Sequence, residues 1–290
     1  MQRAVPLLLG LALALVIAAP AAGAGSPAVA ALQVALRAHG FYAGTIDGDE
    51  GPSTDGAVRK LQQRAGLTVD GIAGPRTRAA LGRFARHELG SRVLRRGASG
   101  WDVAELQFEL AWHGFPSAAI DGSFGLHTLG ALKRFQRWAG LAVDGRAGPA
   151  TITALERPLP TLPLRLAWPL AGLVGDGFGP RGDGFHAGLD VIAPLGAPVA
   201  AAAPGRVTWV GYRDGWGMLV VVAHTDGVRT LYAHLSSATV RLGQRVETGT
   251  RVGLVGATGD ATGPHLHFEV RVGGAAVDPL GALPAATGGS

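Results

Sequence analysis

Through the first half of the chain, apolar positions recur at helical spacing. Val29, Leu32 and Leu36 fall on one face and run into His39-Gly40, which predicts a helix closed by a glycine C-cap. Val58, Leu61, Gln62 and Ala65 form a second such stretch, stopped by Gly66. Gly74-Pro75 opens a third, short helix, with proline where its missing N–H costs nothing. Asp47-Gly48 and Asp70-Gly71 supply the turns between them. From Trp168 onward the period changes to two. Gly205–Tyr212 reads as a strand, with Val207 and Trp209 on one side. Met218–His224 and Val228–His234 flank the turn Thr225-Asp226-Gly227 and read as a hairpin. Arg245–Gly256 predicts a short strand pair broken at Gly249, and His265–Val272 the last strand. The expected fold class is therefore multidomain α and β: a helical first half and an all-β second half.

The helical half is duplicated. Leu32 matches Leu106, Gly40 matches Gly114, Asp47-Gly48 matches Asp121-Gly122, Gln62 matches Gln136, and Val69-Asp70-Gly71 matches Val143-Asp144-Gly145, each pair 74 residues apart. The alignment of 29–81 with 103–155 needs no gap, so one three-helix fold is used twice. Asp47, Asp70, Asp121 and Asp144 read as turn formers rather than ligand binders. Trp112, Trp138 and Phe124 are candidates for stacking on sugars, weighed against ordinary core packing. Pro158, Pro160, Pro163 and Pro169 then mark a semi-rigid connector. The expected boundaries are a leader at 1–24, repeats at 25–86 and 87–156, a linker at 157–166, the β domain at 167–284 and a tail at 285–290.

Chemistry concentrates in the β half. Phe185-His186-Ala187-Gly188-Leu189-Asp190 sets a His and an Asp four residues apart beside a Gly-rich loop. Pro264-His265-Leu266-His267-Phe268-Glu269 sets two His at i and i+2, on one face of a strand, while Leu266 and Phe268 face the core. Two imidazoles and one carboxylate suit a tetrahedral zinc site with its fourth position open to water. No motif Glu offers itself as base, so imidazoles must handle the proton. His234, following Thr230 and Tyr232 on one strand face, is placed to point at the cleft. Glu269 shares the face of His267, as a supporting residue or as a solvated carboxylate. His224 reads as structural. Arg181 and Asp183 flank the site loop, where a substrate role is open.

The repeats resemble the peptidoglycan-binding domain, through D-G-x-F-G-x-x-T at Asp121–Thr128 and V-D-G-x-x-G-P-x-T ending at Thr77 and Thr151. The first copy departs from it, with Glu50 in place of the aromatic residue. Residues 167–281 resemble the lysostaphin-type (LytM) zinc metallopeptidases, through H-x-G-x-D at His186–Asp190, Y-A-H-L at Tyr232–Leu235 and G-P-H-L-H-F-E at Gly263–Glu269. That resemblance implies that His186, Asp190 and His267 bind Zn2+. It further implies that His265 is catalytic rather than a ligand, with His234 as its partner; which of the two is the base stays open. Val240–Gly256 also resembles a lipoyl-type hairpin, but the only lysines are Lys60 and Lys133, both in the repeats, so no acceptor exists there.

Composition narrows the setting. Arg3, the apolar stretch from Val5 to Ala19 and Ala22-Gly23-Ala24 form a secretory leader with its cleavage site, and no later segment could span a membrane. The chain has no cysteine, so an exported fold must hold by packing and a metal by His and carboxylates. A net charge of +5 suits an anionic cell wall. The charges are scattered without a basic run, which argues against nucleic acid. The expectation is a secreted, monomeric, wall-associated peptidoglycan endopeptidase. Its rivals are a non-catalytic activator on a degenerate peptidase fold, disfavoured because all five site positions are filled, and a general peptidase whose repeats act as an inhibitory pro-segment.

Overall fold

The structure, a computed structural model, describes residues 25–159 and 161–284; the expected leader and tail lie outside the described residues. Six helices come first: α1 (Pro27–Ala38), α2 (Pro52–Arg64), α3 (Pro75–Ala80), α4 (Trp101–Trp112), α5 (Leu126–Trp138) and α6 (Pro149–Leu155). Gly40 and Gly66 end α1 and α2 in the left-handed region, at φ of 77° and 66°, as the C-cap pattern predicts.

The recurring Asp-Gly and Thr positions serve architecture. The Gln33 side chain, fully buried, donates to Asp47 Oδ1 at 2.6 Å and Thr54 Oγ1 at 3.1 Å while accepting from Gly48 N at 3.0 Å. Gln62, Gln107 and Gln136 bind Asp70, Asp121 and Asp144 in the same way, at 2.7, 2.9 and 2.8 Å. A buried amide satisfied on both ends locks each turn to its helix. The turn-forming reading of the four aspartates thus holds.

The two repeats share a core. α1 packs on α4, and Leu36, Ile46, Trp101, Phe108 and Ile120 from both copies form one buried cluster. A second cluster, including Leu106, Phe124, Leu132 and Phe135, takes in Ala275 of the β half.

That half contains β1 (Leu173–Val174), β2 (Gly179–Arg181), β3 (Gly184–His186), β4 (Leu189–Ile192), β5 (Pro198–Ala200), β6 (Gly205–Arg213), β7 (Gly217–Ala223), β8 (Val228–Ala238), β9 (Arg245–Val246), β10 (Arg251–Val255), β11 (His265–Val272) and β12 (Ala275–Val277). One antiparallel sheet runs β1-β4-β11-β8-β7-β6-β9, with β10 joining β8 to β5 and β12 pairing with β11; β2 and β3 form a separate hairpin. β11 is thus not the last strand, as the sequence pattern had it. Gly273-Gly274, with φ of 60° and 105°, turns the chain back for β12. The proline-rich connector lies on this core: Leu166 is buried in it and its N–H bonds Ala282 O at 3.0 Å.

The repeats dock on the β2–β3 hairpin. Ile46 N donates to Gly182 O at 2.8 Å, and Ile120 N donates to Asp183 O at 2.6 Å. These are equivalent positions of the two copies, so the same N–H, used twice, holds both carbonyls of the hairpin turn. Trp112 stands edge-on to Phe185 and Phe178, with ring centroids 5.3 and 6.3 Å away. Trp138 stacks among Phe115 and Phe135 beside Gly273, and Phe124 is buried. The aromatic residues considered for sugar stacking therefore build the core and the interface between domains.

Candidate metal centre

The register of the sheet assembles the site. β11 lies between β4 and β8, with His267 directly opposite Asp190 on one side and Ala233 on the other. Opposed residues share a face, so the Asp190 carboxylate and the His267 imidazole meet. His186 ends β3 and reaches the same point. A Cβ at Gly188 would sit 2.6 Å from Phe268 O and 2.9 Å from His267 Cε1. The glycine of H-x-G-x-D is thus a steric requirement for bringing the loop against β11. Gly188→Ala is expected to separate these ligands and lower metal affinity at least tenfold, measured by competition with a chelating dye; unchanged affinity would show that the loop can shift freely.

Three donor atoms form a triangle. His186 Nε2 is 3.1 Å from Asp190 Oδ1 and 3.0 Å from His267 Nδ1, and His267 Nδ1 is 2.8 Å from Asp190 Oδ1. Among the described residues these form the one group of His and acidic side chains spaced to hold a metal ion. A tetrahedral zinc with bonds of about 2.0–2.1 Å places neighbouring ligand atoms about 3.3 Å apart, close to this triangle. The outer nitrogens are already committed: His186 Nδ1 donates to Gly177 O at 2.8 Å, and His267 Nε2 to Glu269 Oε1 at 3.1 Å. Two ring nitrogens and a carboxylate oxygen therefore converge on one point, an arrangement that calls for a cation. The residues present fit zinc.

His265 and His234 stand beside the triangle, their rings 4.8 Å apart. His265 Nδ1 donates to Gly263 O at 2.9 Å, and its Nε2 lies 3.8 Å from Asp190 Oδ1, outside the triangle. His234 arrives by a route the sequence pattern misjudged. Thr230 and Tyr232 face the core, where Tyr232 accepts from Ala202 N at 2.8 Å and from Thr230 Oγ1 at 3.0 Å. Alternation would send His234 inward with them. Instead β8 bulges: Val220 pairs with Tyr232 but Met218 with Leu235, and His234 sits at φ 58°. The bulge re-aims the ring into the cleft, at a backbone cost of about 1–3 kcal/mol. His234 Nδ1 then donates to Thr258 O at 2.7 Å.

Other expectations resolve simply. Glu269 is buried, not solvated, and binds Trp216 Nε1 at 2.9 Å and Arg271 Nε at 2.7 Å as well as His267. Arg271 could have been found from its i+4 spacing from His267; Trp216, from a distant loop, gave no signal. Arg181 bridges Asp176 at 3.1 Å and Asp190 Oδ2 at 3.5 Å. Asp183 serves the domain interface through its carbonyl. His224, tied to Pro204 O at 2.7 Å and Thr230 Oγ1 at 2.8 Å, is structural.

Residues 184–279 match the sequence profile of peptidase family M23, and 25–81 and 99–155 match that of the peptidoglycan binding domain. Residues 184–279 are thus a peptidase family M23 domain, and two peptidoglycan-binding-type domains precede it. It is 48% identical over 101 residues to the DD-carboxypeptidase/endopeptidase Mpg of Neisseria meningitidis, covering 34% of this chain and 23% of that protein. It is 35% identical over 205 residues to the peptidoglycan DD-endopeptidase ShyB of Vibrio cholerae, covering 68% of this chain and 46% of that one. The catalytic domain of lysostaphin from Staphylococcus simulans is 34% identical, with 38% of this chain and 90% of that one covered at a TM-score of 0.36. The chain thus spans about a quarter of Mpg and under half of ShyB.

The charges of the M23 domain's centre are interlocked. Burial pushes the Asp190 carboxyl up, but hydrogen bonds from His186 and His267 outweigh it and hold it well below the usual carboxylate range. Burial likewise opposes ionisation of Glu269, yet Arg271, His267 and Trp216 bring it down to about 2. For His267, burial disfavours the charge, but Asp190 and Glu269 raise it to about 9. Without a metal, a proton on Nδ1 thus occupies the centre of the triangle. Metal binding at pH 7 is expected to release about one proton, and affinity to rise nearly tenfold per pH unit up to about 9, because ligation needs neutral imidazole. Calorimetry in two buffers of different ionisation heat checks this; no net proton release would contradict it.

Proposed function

We propose that this chain is a secreted zinc metallo-endopeptidase that hydrolyses peptide bonds in the stem or cross-link peptides of peptidoglycan, acting as a monomer held to the wall by its two repeats. His186, Asp190 and His267 would hold the zinc, and His265 and His234 would be catalytic. The observation that carries this reading is the donor triangle with two further imidazoles beside it, in a cleft of about 970 Å³. The names of Mpg and ShyB and the peptidoglycan-binding profile support the substrate class, and the filled set of five site residues supports an enzyme rather than an activator. No helix among the described residues is long and apolar enough to cross a membrane.

A bound zinc supplies a polarised water and a Lewis acid for the scissile carbonyl. The chain's own residues manage the protons. Both His234 and His265 spend Nδ1–H on a backbone carbonyl, which leaves each Nε2 free to accept. Burial, then the nearby His265 and His267, holds His234 below its ordinary value despite the Thr258 carbonyl, so it is neutral at pH 7 and fit to take a proton. The deciding experiment is digestion of purified peptidoglycan, with fragment masses read with and without a chelator. New amino termini that vanish with chelator are expected; cleavage confined to the glycan would overturn the proposal.

A further inference from the structure

The cleft is not built by the M23 domain alone. Gly114, Pro116 and Arg134 of the second repeat line it together with Trp216, Glu269 and Arg271. Arg134 lies on α5 and donates one Nη2 hydrogen bond to Pro116 O at 3.0 Å. Among the described residues no carboxylate lies within ion-pair distance of it, and the charged group that bears on it is another cation, Arg271. Burial first, and Arg271 second, disfavour the Arg134 charge. Three of the cleft's carboxylates are engaged with other groups. Asp176 pairs with Arg181, Asp190 belongs to the triangle, and Glu269 is neutralised by Arg271. Asp260 and Asp214 sit with Gly215 beside the loop that carries the Thr258 carbonyl bound by His234. Arg271 is paired with Glu269, so the uncompensated charge of the second repeat's contribution to the cleft is that of Arg134, which keeps guanidinium donors unused.

We propose that Arg134, reaching across from the second repeat beside Arg271, is a substrate-binding residue that recognises a free carboxylate of the peptide in the cleft. A guanidinium with unused planar donors suits a carboxylate bidentately, as an ammonium does not. The position follows from the strand. His267, Glu269 and Arg271 lie at i, i+2 and i+4 on one face, so Arg271 is about 13 Å along β11 from the metal ligand. An extended peptide places its carboxylate about four residues from the bond cut. This rests on the peptidase reading above, and it makes the second repeat part of the specificity site.

The test uses the full chain and two alanine-rich peptides, one with a free carboxylate about four residues from the scissile bond and one with the carboxamide in its place. NMR titration into metal-free protein measures binding without hydrolysis. Wild type is expected to bind the acid about tenfold more tightly than the amide. Arg134→Gln is expected to bind both like the amide, with Arg134→Lys intermediate. In the zinc-loaded protein the same discrimination should appear in KM and not in kcat. Equal binding of the two peptides by wild type, or undiminished preference for the acid in Arg134→Gln, would overturn the assignment. Selective binding by a chain that cuts no peptide would sink the peptidase reading and leave this one standing.

Discussion

Replacing His267 by alanine is expected to weaken zinc binding by two to three orders of magnitude and to abolish peptide hydrolysis while leaving the sheet folded. A structural zinc site is worth about 10–16 kcal/mol, so one ligand of about four carries about 3 kcal/mol, a factor of a hundred or more. The neighbouring core is independent of the ring: Leu266 and Phe268 point to the other face of β11 and stay buried. Glu269 keeps Arg271 and Trp216 as partners, so no charge is stranded. One-to-one zinc binding of undiminished affinity in His267→Ala would remove His267 from the ligand set.

Glu269→Gln dissects the same site from behind. The amide oxygen can still accept from His267 Nε2 and Trp216 Nε1, so the ring's orientation survives, while the charge and the acceptor for Arg271 are lost. Removing a supporting charge of this kind costs about 10–100-fold in metal affinity. Glu269 also helps to raise the His267 pKa. The variant should therefore release less than wild type's proton on metal binding at pH 7, a signature that simple loosening would not produce.

Much of this site was legible in the chain. H-x-G-x-D and H-L-H each place their side chains by local geometry, the second through the two-residue period of a strand, and the duplication declared itself by its gapless offset. What escaped the sequence depended on breaks in that period or on contacts between distant segments. The cleft-facing placement expected for His234 is reached through the bulge in β8 and not through a strand face shared with Thr230 and Tyr232. Gly188 reads only as part of a Gly-rich loop, and its steric role rests on Phe268 O, which occupies the space of a Cβ there. β12 lies beyond a Gly-Gly turn and spans only Ala275–Val277, too short to register as a pattern. The docking of the repeats could not be read at all. It uses main-chain N–H groups of Ile46 and Ile120, which carry no side-chain signature, and the tryptophans that seal it look equally suited to sugars.

That docking carries the other large expectation. Trp112 wedges against Phe178 and Phe185, and Phe185 adjoins His186 in β3. Trp112→Ala should cost about 3 kcal/mol, the low end for a large aromatic cut to alanine, because the ring is only partly buried. The loss falls on the seam between the repeats and the hairpin, so amide exchange should quicken at Gly182–Phe185 while β7 and β8 stay protected. His186, held at the end of that hairpin, becomes a less ordered ligand, and zinc affinity is expected to fall about tenfold. Trp112→Phe is the control. It keeps an edge for Phe185 and removes an indole Nε1 that is buried without a hydrogen-bond partner, so it should match or exceed the wild-type stability. If Trp112→Ala left hairpin exchange and zinc affinity unchanged, the repeats would be attached to the M23 domain without supporting its metal site. The expected result ties the two repeats and the candidate metal centre to one seam, because the element that both repeats grip is the one that carries His186.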